Sequence, residues 1–160
     1  MAWLVDVFQW WSAYYGDHRA VAGAIRYAHL VGIVLGGGTA LAADRAVLVA
    51  GRSPEGRDRA LAILAEAHRV VVPSLAVIAA SGAMMFAADT ETFLASRTYG
   101  VKIAAVGLLA ANGWALTRAE RQARTAGTEG GWAMLRWTAR ASSCLWLGIL
   151  LLGVLLTFAA

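Results

Sequence analysis

Residues 22–43, "AGAIRYAHLVGIVLGGGTALAA", form a run in which only Arg26 and His29 can carry charge. A hydrocarbon core of about 30 Å takes roughly 20 helical residues at about 1.5 Å each, so this run is long enough to cross it. Three more runs of similar length follow, at about 67–88, 98–117 and 137–158. In a chain of 160 residues they leave too little polar sequence to coat a soluble bundle. The composition agrees, since 59% hydrophobic and 15% charged residues fall outside the usual range of soluble domains. The predicted fold class is an all-α membrane protein, an antiparallel four-helix transmembrane bundle forming a single membrane domain over residues 1–160.

Ahead of the first run, "MAWLVDVFQWWSAYYGDHRA" lacks the basic start, unbroken apolar core and small-residue cleavage site of a signal peptide, which predicts that it is retained. Leu4, Val7, Phe8, Trp11 and Tyr15 recur at helical spacing opposite Asp6, Gln9 and Ser12. This pattern, rich in aromatic rings, predicts an amphipathic interfacial helix over 3–15. Between the first and second spans, "SPEG" at 53–56 reads as a turn, with Asp58 as an N-terminal helix signal. The polar, glycine-containing stretch 118–132 reads as a second exposed connection.

Arginines set the orientation. Segments 44–60 and 118–136 hold eight, whereas 1–22, 89–97 and the C-terminal end hold two. The positive-inside rule therefore puts both rich connections in the cytoplasm, predicting a multi-pass protein of the bacterial inner membrane with both termini on the outer side. Because the arginines mark helix ends and form no single patch, the net charge of +4 points to the lipid bilayer as partner and not to nucleic acid. The lone Cys144 excludes an intramolecular disulfide, and no CxxC or paired Cys/His spacing supports zinc or covalently attached haem.

With helix directions set, position along the chain becomes depth. His29 falls about 10 Å and Lys102 about 6 Å below the outer boundary at about 1.5 Å per residue. Met84 and Met85 reach the same leaflet, with Arg26 one turn above His29. His68, Asn112 and Cys144 sort to the inner leaflet, so His29 and His68 are too far apart to ligate one iron. Arg136, Arg140, Cys144 and Gly148 share a helical stripe that reads as a packing face.

Lys102 is the only lysine in the chain. A charged side chain inside a bilayer costs at least about 2.5 kcal/mol on insertion scales, which argues for a functional role. The competing reading is an ammonium that snorkels to the headgroups. His29 shares a face with Gly32 and Gly36. That face suits either a close-packed helix beneath a hydrogen-bonded histidine, or a haem edge with His29 Nε2 on iron. Met84 and Met85 read as core or lipid-facing residues, or as thioether ligands for haem iron or copper(I). Beside a haem, Lys102 and Arg26 would pair with propionates; beside a substrate, a neutral Lys102 would act as base or ligand.

"YAHLVGIVLGGGTALAADRAVL" (27–48), "VIAASGAMMF" (77–86) and "YGVKIAAVGLLAANGWAL" (99–116) together resemble small four-helix membrane proteins related to the HemJ-type protoporphyrinogen oxidase and the CopD-type copper-resistance domain. The shared features are a histidine opening the first core helix with glycines one and two turns later, a Ser-Gly pair in the second, and a lysine in the third. Asp44, Arg45 and Asn112 match a bacterial branch of that group. The HemJ-type resemblance implies haem b and oxidation of a porphyrinogen, with His29 and Lys102 as the essential pair. The CopD-type resemblance implies copper uptake through His29, Met84 and Met85. The chain departs from the HemJ-type pattern at Leu35, where a tryptophan is usual, and has no histidine closing the third helix.

These readings converge on an integral membrane protein that binds haem b near the outer leaflet and works in electron transfer or haem-linked oxidation. His29 is the expected metal ligand, Lys102 the expected catalytic or second-ligand residue, and Arg26, Gly32, Gly36, Met84 and Met85 line the cofactor. Quinone or a porphyrinogen is the expected small-molecule partner, and a homo-oligomer is compatible with the pattern. Copper handling and a cofactor-free accessory subunit are the alternatives.

Overall fold

A computed structural model describes the backbone of residues 2–51, 53–126 and 129–159, and the side chains of these except 2–7, 126 and 159. Leu4, Asp6 and Val7 of the expected amphipathic face therefore lie outside the described side chains. The described chain is helical nearly throughout: α1 Ala2–Asp17, α2 Arg19–Val49, α3 Pro54–Ala88, α4 Thr90–Ala95, α5 Arg97–Ala126 and α6 Glu129–Ala159. Among the described residues, α2, α3, α5 and α6 are the four helices long and apolar enough to cross a membrane.

Local chemistry explains why the helices outrun the apolar runs. Gly51 turns the chain at φ +67, a conformation that suits glycine. Ser53 then caps α3 by accepting from Gly56 N at 3.1 Å, with Pro54 in the first turn where its missing N–H costs nothing. The capping residue is thus Ser53 and not Asp58, and α3 begins well before residue 67. Asp89 closes α3 and accepts from Thr92 N at 3.3 Å, which starts the short α4.

The packing is unequal along the helices. Ala43 and Val47 of α2, Leu61, Leu64 and Ala67 of α3, Leu116, Ala119 and Ala123 of α5, and Trp132, Leu135 and Ala139 of α6 form one buried cluster. All of it lies toward the arginine-rich end. Leu135 there is 0% exposed and Trp132 2%. Toward the opposite end, α5 has no buried residue from Arg97 to Ala115.

Small residues hold the opposite half. A Cβ at Gly32 would lie 2.8 Å from Ile78 Cγ1 and 3.3 Å from the Ser74 carbonyl, and one at Gly36 would lie 2.8 Å from Ser74 Cβ. The glycine face is therefore occupied by α3. Gly37 meets α6, where a Cβ would come within 3.1 Å of Trp146 Cε3. Contacts fall in order along each pair, with numbers rising on α2 as they fall on α3 and α6. Without a hydrophobic force between helices in lipid, such close backbone approach supplies the dispersion contact that holds them.

The stripe Arg136, Arg140, Cys144, Gly148 does not pack as expected. Arg140 and Cys144 are exposed and Gly148 has nothing near it. The buried face of α6 instead carries Trp132, Leu135, Ala139, Ser142 and Trp146, because the helix is rotated to meet Gly37 and the core cluster. At the far end α1 is pinned to α3, with Trp11 Nε1 donating to the Met84 carbonyl at 2.8 Å and Ser12 Oγ to the Ala88 carbonyl at 2.6 Å.

Gly36→Leu is expected to wedge α2 from α3 and lower stability by about 2 kcal/mol, within the range for overpacking. The measurement is thermal unfolding in detergent. Gly38→Ala, where nothing lies within 4 Å, serves as the control and should leave the midpoint unchanged.

Candidate functional site

Above the glycine seam, α2 presents His29 to α3. Its Nδ1 lies 2.9 Å from Ser81 Oγ and 3.1 Å from the Ile78 carbonyl. The Ser81 hydroxyl hydrogen is directed to the Val77 carbonyl at 2.6 Å. A carbonyl only accepts, and a hydroxyl oxygen whose hydrogen is used elsewhere also accepts, so Nδ1 must carry the proton. The remaining nitrogen, Nε2, then holds a lone pair, and among the described residues it has no hydrogen-bond partner. Gly82 lies beside the ring, where a Cβ would stand 3.5 Å from His29 Cε1.

Lys102 arrives from α5. It is half-buried, and a Cβ on Gly153 of α6 would lie 3.6 Å from its Nζ. Among the described residues it makes no hydrogen bond or ion pair. At this level His29 of α2 lies beside Ser81 and Gly82 of α3, and Lys102 of α5 lies beside Gly153 of α6.

The other expected site residues are distributed around this pair. Gly32 and Gly36 contact α3 directly. Arg26 Nε donates to the Tyr15 hydroxyl of α1 at 3.3 Å, and its guanidinium lies 5.9 Å from that ring centroid. Met84 lines an apolar groove of about 320 Å³ between α2 and α3 with Ala24, Ala28 and Val77, and is 45% exposed. Met85 is half-buried. Among the described residues no three of His, Cys, Asp and Glu converge on one point.

α3 and α5 flank the site and touch at two levels. Near the arginine-rich end, Arg124 Nη2 donates to the Leu61 carbonyl at 2.7 Å, and His68 Nδ1 stands 3.8 Å from Glu120 Oε2. At the opposite end Phe86 stacks on Tyr99 at 5.7 Å, with Phe93 beside both. Among the described residues no hydrogen bond, ion pair or ring contact joins them in between. The His29 and Lys102 level falls within that interval.

Two polar groups of the other half have partners that the sequence did not show. Asp44 is 2% exposed and accepts from Ser143 Oγ at 3.1 Å and from Ser142, tying α2 to α6. Glu120 is held by Arg124 at 2.8 Å beside His68. Asn112 donates to the Thr138 carbonyl at 3.0 Å and Cys144 is exposed, so both have ordinary surroundings. Depth reasoning separated His68 from His29, but only helix rotation reveals the Glu120 partner.

In comparisons with known proteins, the chain matches no family model, and no curated sequence or solved structure is significantly similar to it.

Long-range ¹⁵N correlation spectra of the His29 ring should show Nδ1 protonated and Nε2 bare. Ser81→Ala should preserve this tautomer through the Ile78 carbonyl. A ring protonated on Nε2 alone would contradict the assigned hydrogen bonds.

Proposed function

We propose that this chain is a b-type haem protein of the bacterial inner membrane acting in electron transfer or haem-linked oxidation, with His29 as iron ligand. The observation that carries the reading is the His29 ring itself. Its Nδ1–H is anchored by Ser81 and Ile78, while Nε2 keeps a free lone pair. Metal-ligating histidines are typically held this way, because the second hydrogen bond fixes the tautomer and raises the basicity of the ligating nitrogen.

The donor set suits a haem. It offers one bare imidazole nitrogen for iron and one ammonium, Lys102, without an anionic partner among the described residues for a propionate. A bound haem supplies one-electron redox chemistry. The residues around it have separate tasks: Ser81 orients His29 and Lys102 compensates negative charge, with Gly82 beside the imidazole and Gly153 beside the ammonium. Gly32 and Gly36 act indirectly by holding α3, and Arg26 is already engaged by Tyr15.

This reading includes an antiparallel four-helix bundle with α1 in the interface, both termini on the outer side, and the haem in the outer leaflet. Quinone is the proposed electron partner because it dissolves in the bilayer. Porphyrinogen oxidation rests on the HemJ-type resemblance and the same His29 and Lys102 pair.

Protein purified from haem-sufficient cells should show a Soret band that His29→Ala abolishes. Lys102→Met should keep the band but weaken haem retention about tenfold, the equivalent of about 1.4 kcal/mol. A band indifferent to His29→Ala overturns the ligand assignment. Colourless protein with stoichiometric copper would move the reading to copper handling through His29, Met84 and Met85. Protein with neither would identify an accessory subunit.

A further inference from the structure

A cavity of about 470 Å³ lies between the start of α3, the end of α5 and the start of α6, far from His29. Arg57, Asp58, Arg124 and Trp132 line it. The Arg57 guanidinium sits 5.0 Å over the Trp132 ring centroid and donates from Nη2 to Glu129 Oε1 at 2.6 Å. Its Nε is buried and has no acceptor. Nε and Nη2 share one edge of the guanidinium, a fork that a carboxylate or phosphate fills with two oxygens. Glu129 reaches only the Nη2 half of it, and its side chain is 65% exposed.

Across the cavity, Arg124 is fixed through Nε and Nη2 by Glu120 and the Leu61 carbonyl. Its Nη1 has no partner among the described residues. Asp58 lines the same space, yet its carboxylate pairs with neither guanidinium and makes no hydrogen bond among the described residues. Two guanidiniums beside an unpaired carboxylate complement a ligand that carries both a phosphate and an ammonium. The cavity also lies at a suitable depth. Trp132 is five residues from Trp137, about 7.5 Å along the helix, and the exposed indoles of Trp114 and Trp137 mark a membrane interface. Segments 44–69 and 118–140 carry ten arginines against six carboxylates, so the surrounding field favours a phosphate.

We propose that this cavity binds the headgroup of an amine-bearing phospholipid such as phosphatidylethanolamine. Arg57 and Arg124 hold its phosphate, and Asp58 pairs with its ammonium. The assignment is independent of the haem reading, because it uses the opposite end of the bundle.

The test is native mass spectrometry of the full-length protein, delipidated and offered equimolar phosphatidylethanolamine and phosphatidylglycerol. Wild type should retain the amine-bearing lipid about tenfold more than phosphatidylglycerol, a preference of the size of one exposed-to-half-buried ion pair. Asp58→Asn should keep lipid binding but bring the ratio near one. This variant removes no hydrogen bond or ion pair among the described residues. Arg57→Gln should lower retention of both lipids, with the helical circular-dichroism signal checked alongside. Equal retention by wild type, or a preference that survives Asp58→Asn, overturns the proposal. Complete displacement of lipid by millimolar inorganic phosphate would identify a free-anion site and overturn it as well.

Discussion

Inside a bilayer the helices have no water to escape from, so nothing presses them together except close contact and polar pairing. The glycine seam on α2 answers that constraint, and much of the structure depends on it. Gly32 and Gly36 let α3 approach until Ser74 and Ile78 touch the α2 backbone, and Gly37 does the same for Trp146 of α6. Only at that separation can Ser81 and the Ile78 carbonyl reach the His29 ring. The histidine's tautomer is therefore a consequence of helix packing two turns away.

The same constraint divides the molecule. Toward the arginine-rich end the four long helices share a buried apolar cluster, reinforced by the Asp44 bonds to α6 and by the Glu120, Arg124 and Leu61 contacts between α5 and α3. Toward the other end the imidazole is held between α2 and α3, and the ammonium lies between α5 and α6. A chain that builds its core at one end can leave two polar groups half-buried at the other, because the packed half fixes the helix positions. Removing a buried polar partner is costly where solvent cannot replace it, so such groups gain from a ligand that pairs with them.

The helices were largely legible in the sequence, and for a physical reason. An apolar run near twenty residues long has few alternatives in a chain this short of polar surface, and depth then follows from rise per residue. Depth also grouped His29 with Lys102 and separated both from His68. Rotation about each axis was not legible. It decides that Gly32 and Gly36 face α3, that Cys144 and Arg140 are exposed while Trp146 is buried, and that His68 meets Glu120. Ser81 stood in a recognisable Ser-Gly pair, but its role needs the distance to an imidazole on another helix. The start of α3 was misplaced because Ser53-Pro54 is both a good turn and a good cap, and only the buried stripe Ala60, Leu61, Leu64 and Ala67 distinguishes them.

The division into a packed half and a more open half is best tested by distance. With Cys144 replaced by serine, pulsed electron resonance in lipid nanodiscs would compare two spin-label pairs spanning α3 and α5. One pair, at Ala62 and Gln122, lies in the packed half, and the other, at Ala79 and Ala104, lies in the opposite half; all four positions are exposed. The structure predicts a narrow distribution for the first pair and a broader one for the second, and the proposed haem site predicts that the second narrows when haem is supplied. Equally narrow distributions for both pairs, unchanged by haem, would contradict it.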